Sequence, residues 1–134
     1  AAERLVPHRT PARMVTSLDA VAERTATVTA RIDASSPFCR DGRLMEAAHL
    51  ELMAQAAAAL HGFRRQVRSD GAAQRGMLVG ARDLEVYGPV RAGEDVTVWL
   101  HKEARLGTFG VVRAEVRRNG ALVSTAELKT WYEE

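Results

Sequence analysis

The sequence has one cysteine, Cys39, so it can form no disulfide within the chain and no multi-cysteine zinc site. A lone thiol suits a reducing compartment. No base stands beside Cys39, so it reads as a structural or incidental residue rather than a nucleophile. Lysine is nearly missing too, with two Lys against seventeen Arg. Net charge is only +2 despite a pI near 9.1, because the arginines alternate with acids. No basic stripe forms, which argues against a nucleic-acid role. Arginine favours phosphate, so a phosphate-bearing ligand is compatible with the bias, and a GC-rich coding sequence produces the same bias. The opening AAERLVPHRT holds no apolar signal core. The only membrane-length run, 44–63, is interrupted by Glu46, His49, Glu51, Gln55 and His61. Inserting its carboxylates would cost on the order of several kcal/mol. The expectation is a soluble, cytoplasmic protein.

Also missing are internal repeats, low-complexity tracts and a second domain boundary, so residues 1–134 read as a single domain. No phosphate-binding glycine loop, zinc spacing or Ser-His-Asp arrangement emerges, and neither a metal nor a cofactor is expected.

What is present is the stretch LMEAAHLELMAQAAAALHGF at 44–63. It reads as one helix, apolar on nearly every side, and such a helix belongs inside a protein. Within it stand Glu51 and Gln55, and a buried carboxylate is costly unless paired, hydrogen-bonded or used. Around it the period is two. Residues 13–19 and 24–32 read as strands, the second alternating Thr25, Thr27 and Thr29 with Ala26, Val28 and Ala30. Residues 33–43 read as a loop. After Ser69-Asp70-Gly71 come four more strands at 77–86, 95–104, 107–118 and 121–132, with Asn119-Gly120 as a tight-hairpin signal. Two strands, a buried helix and a four-strand meander give an α+β fold in which a curved antiparallel sheet of about six strands wraps the helix. One sheet cannot cover such a helix completely, so a dimer is expected. Strand 77–86, with Leu78, Gly80, Leu84 and Val86, is the candidate edge at the two-fold axis.

These residues resemble a known family. The β-β-α-β-β-β-β order is similar to the hotdog fold. Leu5-Val6-Pro7-His8-Arg9 resembles the LPHR phrase of the bacterial 3-hydroxyacyl-acyl carrier protein dehydratases, and Glu51-Leu52-Met53-Ala54-Gln55 resembles their E-A-M-A-Q helix phrase. Val79-Gly80, Pro89-Val90 and Gly93 resemble the strand and turn that follow. The departure lies before the helix, where the family's G-H-F-P-G-x-P segment carries a histidine. Here only Pro37-Phe38 matches, and that histidine is missing. The pattern resembles the divergent dehydratase-like proteins of aryl-polyene biosynthetic clusters.

The resemblance implies a thioester-linked acyl substrate on the phosphopantetheine of acyl carrier protein, or on coenzyme A, and a homodimer or a heterodimer with another hotdog subunit. In the family the histidine takes the α-proton and the glutamate helps the hydroxyl leave as water. Glu51 fits the second role, since burial raises a carboxylate's pKa. Gln55, one turn on, shares its face and can orient it. The base is unassigned. His49 lies roughly 200° around the helix from Glu51, so within one chain it cannot share that face. It is either a packing residue or the base of a partner's site. His8 belongs to the retained phrase, although the family's catalytic histidine is another, and structural work is the plainer reading. His61 and His101 read as ordinary partly exposed residues. Glu46 and Ala47, at the expected helix start, and Gly80 are expected at the thioester, while Arg40, Arg43 and Arg82 meet a phosphopantetheine arm or an acidic carrier protein, or are solvated surface. Two other readings stay open. The chain is a non-catalytic or half-catalytic acyl-binding subunit of a dehydratase heterodimer, or it is a hotdog thioesterase.

Overall fold

Alternation of apolar and polar residues decides the sheet. In the computed structural model, which describes residues 12–67 and 76–132, β1 (Val15–Val21) and β2 (Thr25–Arg31) form the first hairpin. The meander β6 (Asp95–Leu106), β7 (Phe109–Arg118) and β8 (Ala121–Tyr132) follows β5 (Gly76–Val86). The six pair antiparallel in the order β1-β2-β6-β7-β8-β5, leaving β1 and β5 at the two edges. Register places Val28 opposite Val98, Val98 opposite Val116 and Ala114 opposite Ala126, so one face of the sheet is a continuous apolar floor. Fully burying a Val or Leu there contributes about 1.5–3 kcal/mol. Asn119 and Gly120 both have positive φ, 51° and 82°, the mirror-image turn that joins β7 to β8 without splaying them.

Helix α1 (Ala48–Val67) lies across this floor and touches all six strands. His49, Leu52, Met53, Gln55, Ala56, Ala59 and Leu60 face the sheet and are buried. Leu50, Ala54, Ala57, Ala58 and His61 line the other side and are half-exposed. One sheet therefore covers about half of the helix. Along α1, no described helix is long and apolar enough to cross a membrane.

Two sequence expectations need correction. The helix starts at Ala48, not at Leu44, and the 33–43 loop contains a small hairpin of β3 (Cys39–Arg40) and β4 (Arg43–Leu44). Leu44 is apolar because it is buried inside that hairpin, where it pairs with Cys39 and donates its N–H to the Val90 carbonyl at 2.8 Å. Met45 donates to Phe38 at 2.9 Å, so the backbone is committed to extended structure until Glu46. The two residues between β3 and β4, Asp41 and Gly42, have φ of 54° and 74°, again the mirror-image turn. The expected turn at Ser69-Asp70-Gly71 lies outside the described residues.

Candidate active site

The site is best built outward from Gln55. Its side chain is fully buried, yet every polar atom on it is used. Met14 donates its backbone N–H to Gln55 Oε1 at 2.7 Å, and Gln55 Nε2 donates to the Ala12 carbonyl at 2.9 Å. These two backbone partners fix the amide orientation, because a flipped amide would set donor against donor and acceptor against acceptor. The remaining Nε2 proton points to Glu51 Oε1 at 3.3 Å. Gln55 thus clamps the chain entering β1 against the helix and holds one oxygen of Glu51 as a hydrogen-bond acceptor.

Glu51 stands at the border between the covered and uncovered sides of α1, and it is half-buried. The expectation of a carboxylate inside the core is therefore met only in part by one chain, because the sheet stops short of this border. His49, two residues earlier, faces the floor with 1% exposure, and its Nδ1 lies 2.8 Å from Ser124 Oγ on β8. Burial holds its pKa below the ordinary imidazole value, with Glu46 pulling the other way. His49 is a neutral strut between helix and sheet, turned away from Glu51.

The other expected residues spread out. His101 lies on the far face of the sheet, stacked on Trp99 with ring centroids 5.4 Å apart. His61 is half-buried near the end of the helix, and His8 lies outside the described residues. Glu46 and Ala47 are exposed in the turn before α1. The N–H groups of Ala48, His49 and Leu50 there donate to the carbonyls of Met45, Glu46 and Ala47 at 2.9, 3.1 and 3.2 Å. A thioester carbonyl at this end would compete with those bonds. Gly80 sits on the edge strand β5, opposite Lys129. Arg82 pairs with Glu127 across the β5–β8 ladder. Arg40 and Arg43 are exposed and face each other across the small hairpin. Cys39 Sγ rests 3.6 Å from the Asp33 carbonyl, and burial plus the Asp33 charge raise its pKa, so the thiol stays protonated. Among the described residues no group of three or more His, Cys, Asp or Glu could hold a metal ion.

The whole chain, residues 1–134, matches the ApeP-like family, described as ApeP dehydratase. The chain belongs to the ApeP-like dehydratase family. A search of curated proteins finds no match. Among solved structures, the chain is similar to the dehydratase heterocomplex ApeI:P from Xenorhabdus doucetiae, with 24% identity, 99% of this chain and 91% of that one covered, and a TM-score of 0.83. It is also similar to a hypothetical thioesterase with coenzyme A from Streptococcus pneumoniae, at 12% identity, 87% and 84% coverage and a TM-score of 0.68. A third is the E. coli PaaI protein from the phenylacetic acid degradation operon, at 16% identity, 88% and 79% coverage and a TM-score of 0.68. Their agreement fixes the fold as hotdog. Sequence reasoning missed Ser124 and Arg91, neither of which carries a local motif. Ser124 is shown by its hydrogen bond to His49, and Arg91 by an isolated bridge to Arg43.

Proposed function

We propose that this ApeP-like protein dehydrates 3-hydroxyacyl thioesters on acyl carrier protein, with Glu51 as general acid and the base supplied by a second hotdog subunit. The observation that carries the reading is the placement of Glu51. It lies on the uncovered border of the helix, held by the oriented Gln55 amide. The reaction needs a base to remove the α-proton and an acid to protonate the departing β-hydroxyl. The Glu51 carboxyl would deliver its proton to that oxygen as the C–O bond breaks, giving water and an enoyl thioester. The abstracted proton then returns to Glu51 through water. Among the described histidines, His49 is spent on Ser124, His101 lies beyond the sheet, and His61 is ten residues further along α1, about 15 Å from Glu51 along the helix axis. A partner's base at the exposed side of Glu51 is the consistent completion, and the similar ApeI:P assembly is a heterocomplex.

The second subunit has a place to dock. Leu78 and Val79 on the edge strand β5 are 40% and 48% exposed, and the half-covered strip of α1 asks for apolar cover. A second sheet continuing from β5 would meet both needs, and such an interface should bury well over about 1,000 Å². Light scattering should show no stable 14.7 kDa monomer at micromolar concentration. The direct test is turnover of a 3-hydroxyacyl carrier-protein thioester by this chain, alone and with a histidine-bearing hotdog partner. Activity only in the pair, abolished by Glu51→Ala, supports the reading. Equal rates with and without Glu51 remove it from the mechanism, and a fully active chain on its own removes the borrowed base. Thioester hydrolysis is the second reading, favoured by similarity to a hypothetical thioesterase, and free thiol released from an acyl-CoA would select it.

A further inference from the structure

Three arginines stand side by side on neighbouring extended segments, two of them in the hairpin just ahead of the helix that carries Glu51. Arg40 is directly opposite Arg43 in the small hairpin, and Arg43 is directly opposite Arg91 in an isolated antiparallel bridge. The bridge is framed by Leu44 N–H to the Val90 carbonyl at 2.8 Å and Ala92 N–H to the Gly42 carbonyl at 2.9 Å. That pattern makes Arg43 and Arg91 a non-hydrogen-bonded pair, with Cα atoms about 4.5 Å apart and side chains on one face. Arg40 and Arg43 flank a two-residue turn in the wider position, about 5.5 Å apart. Like charges directly opposite one another in a ladder are destabilising. All three arginines are exposed.

Several other described arginines are each matched to an acid. Arg31 pairs with Asp95, Arg82 with Glu127, Arg117 with Glu115 and Arg118 with Glu94. Among the described residues, none of Arg40, Arg43 and Arg91 has an ion-pair partner. The nearest acid in sequence to Arg91, Glu94, takes the Arg91 backbone N–H at 2.7 Å and lies 3.5 Å from Arg118. A row of opposed, uncompensated guanidinium groups lowers its energy when a multiply charged anion lies along it. Guanidinium forks match phosphate oxygens, and they do so two bonds at a time.

We propose that Arg40, Arg43 and Arg91 form a phosphate-binding rail for the carrier of the acyl thioester. The identity of that carrier rests on the function proposed above, whereas the rail itself is tested without any turnover. Two sources share the chemistry: the single phosphate of a phosphopantetheine arm, and the several phosphates of coenzyme A. Leu44 leads through a three-residue turn into α1, so an arm anchored at the rail enters at the end of the helix that bears Glu51.

The experiment is calorimetric titration of the full chain with coenzyme A, dephospho-coenzyme A, 4′-phosphopantetheine and pantetheine, beside thermal melts at low salt. Binding should require phosphate, weaken as salt is added, and fall about tenfold or more in Arg43→Gln. Coenzyme A binding more tightly than phosphopantetheine assigns the rail to nucleotide phosphates, and equal affinity assigns it to the arm. Arg43→Gln and Arg91→Gln should melt no lower than the parent, since each removes a repulsion. The rail is overturned if pantetheine binds as tightly as coenzyme A, if no probe binds, if the variants bind like the parent, or if they melt lower. Dehydration that persists in a chain failing these tests leaves the proposed reaction standing without the rail. Phosphate-dependent binding without dehydration by the chain assembled with a histidine-bearing hotdog partner leaves the rail and removes the reaction.

Discussion

His49 and Glu51 are two residues apart on one helix and do opposite things. His49 points at the centre of the sheet, loses nearly all contact with water and is hydrogen-bonded to Ser124. Glu51 points along the rim, keeps partial exposure and accepts from Gln55. An α-helix turns about 100° per residue, so two positions carry a side chain from the covered to the uncovered side. The difference teaches that a polar residue in an apolar helix is not by itself a functional signal. What separates strut from candidate acid is how far the fold withdraws the residue from water and whether a ligand can reach it.

The contrast breaks if mutation fails to separate the two. Glu51→Gln keeps shape and can still accept from Gln55, so stability should stay within about 0.5 kcal/mol of the parent. Dehydration by the assembled enzyme should fall by about 10²–10⁴-fold, the usual contribution of a general acid. Steady-state turnover and a melt on the same preparation decide it. A stable variant with full activity would place Glu51 beside His49 as a structural residue.

Gln55 sharpens the comparison, because it serves both sides at once. Gln55→Met fills similar volume but leaves the Met14 N–H and the Ala12 carbonyl without their partners. Orphaning buried backbone groups should cost about 2–4 kcal/mol, measured by urea unfolding. Gln55→Glu retains an acceptor for Met14 and replaces the donor facing Glu51 with a second carboxyl. Two carboxyls sharing one site hold a proton more tightly, so the alkaline limb of the pH–rate profile, where the general acid loses its proton, should move to higher pH. A purely structural Gln55 would lower stability without moving that limb.

His49→Leu is the complementary lesion. It should cost about 1–3 kcal/mol, because the Ser124 hydroxyl loses its partner inside the core, and it should leave the rate per folded enzyme unchanged. A rate falling in step with Glu51→Gln, at retained stability, would instead return His49 to the mechanism as a base.

Much of the fold was legible because its signals are periodic. Thr25 to Ala30 alternate as a strand and pair as one, and Asn119-Gly120 marks the hairpin where it occurs. The edge position of β5 agrees with the expected strand at 77–86. The β3–β4 hairpin was not legible, since two-residue strands are too short to show a period, although Asp41-Gly42 is the same kind of turn signal as Asn119-Gly120. Leu44 and Met45 are apolar in either conformation, so composition alone extended the helix four residues too early. At the site, Gln55's nearness to Glu51 followed from helical spacing. Its grip on Ala12 and Met14 did not, because backbone partners more than 40 residues away leave no trace in side-chain pattern. The Arg43–Arg91 pairing is hidden for the same reason.

The smallest expected effect is the pH dependence of the strut. His49 is held neutral, its pKa below the ordinary 6.5 because burial outweighs the opposing pull of Glu46. In the unfolded chain the imidazole regains its ordinary value and takes a proton as pH falls through it. The unfolded state then binds more protons than the folded one, so stability rises with pH in that window. The contribution of neutral His49 is fully present above 6.5 and declines as pH falls below it, until the depressed folded pKa is reached. The slope has a ceiling of about 1.4 kcal/mol per pH unit for one group. Asp33, whose pKa is lowered by Ser35, acts in a separate and more acidic window, around and below its ordinary 3.8. Urea unfolding at steps from pH 7.5 to pH 5 should therefore show a loss in the parent that is smaller in His49→Leu. Equal slopes in the two proteins would mean that His49 accepts its proton in place, and that the helix rim and the helix floor are less different than their burial indicates.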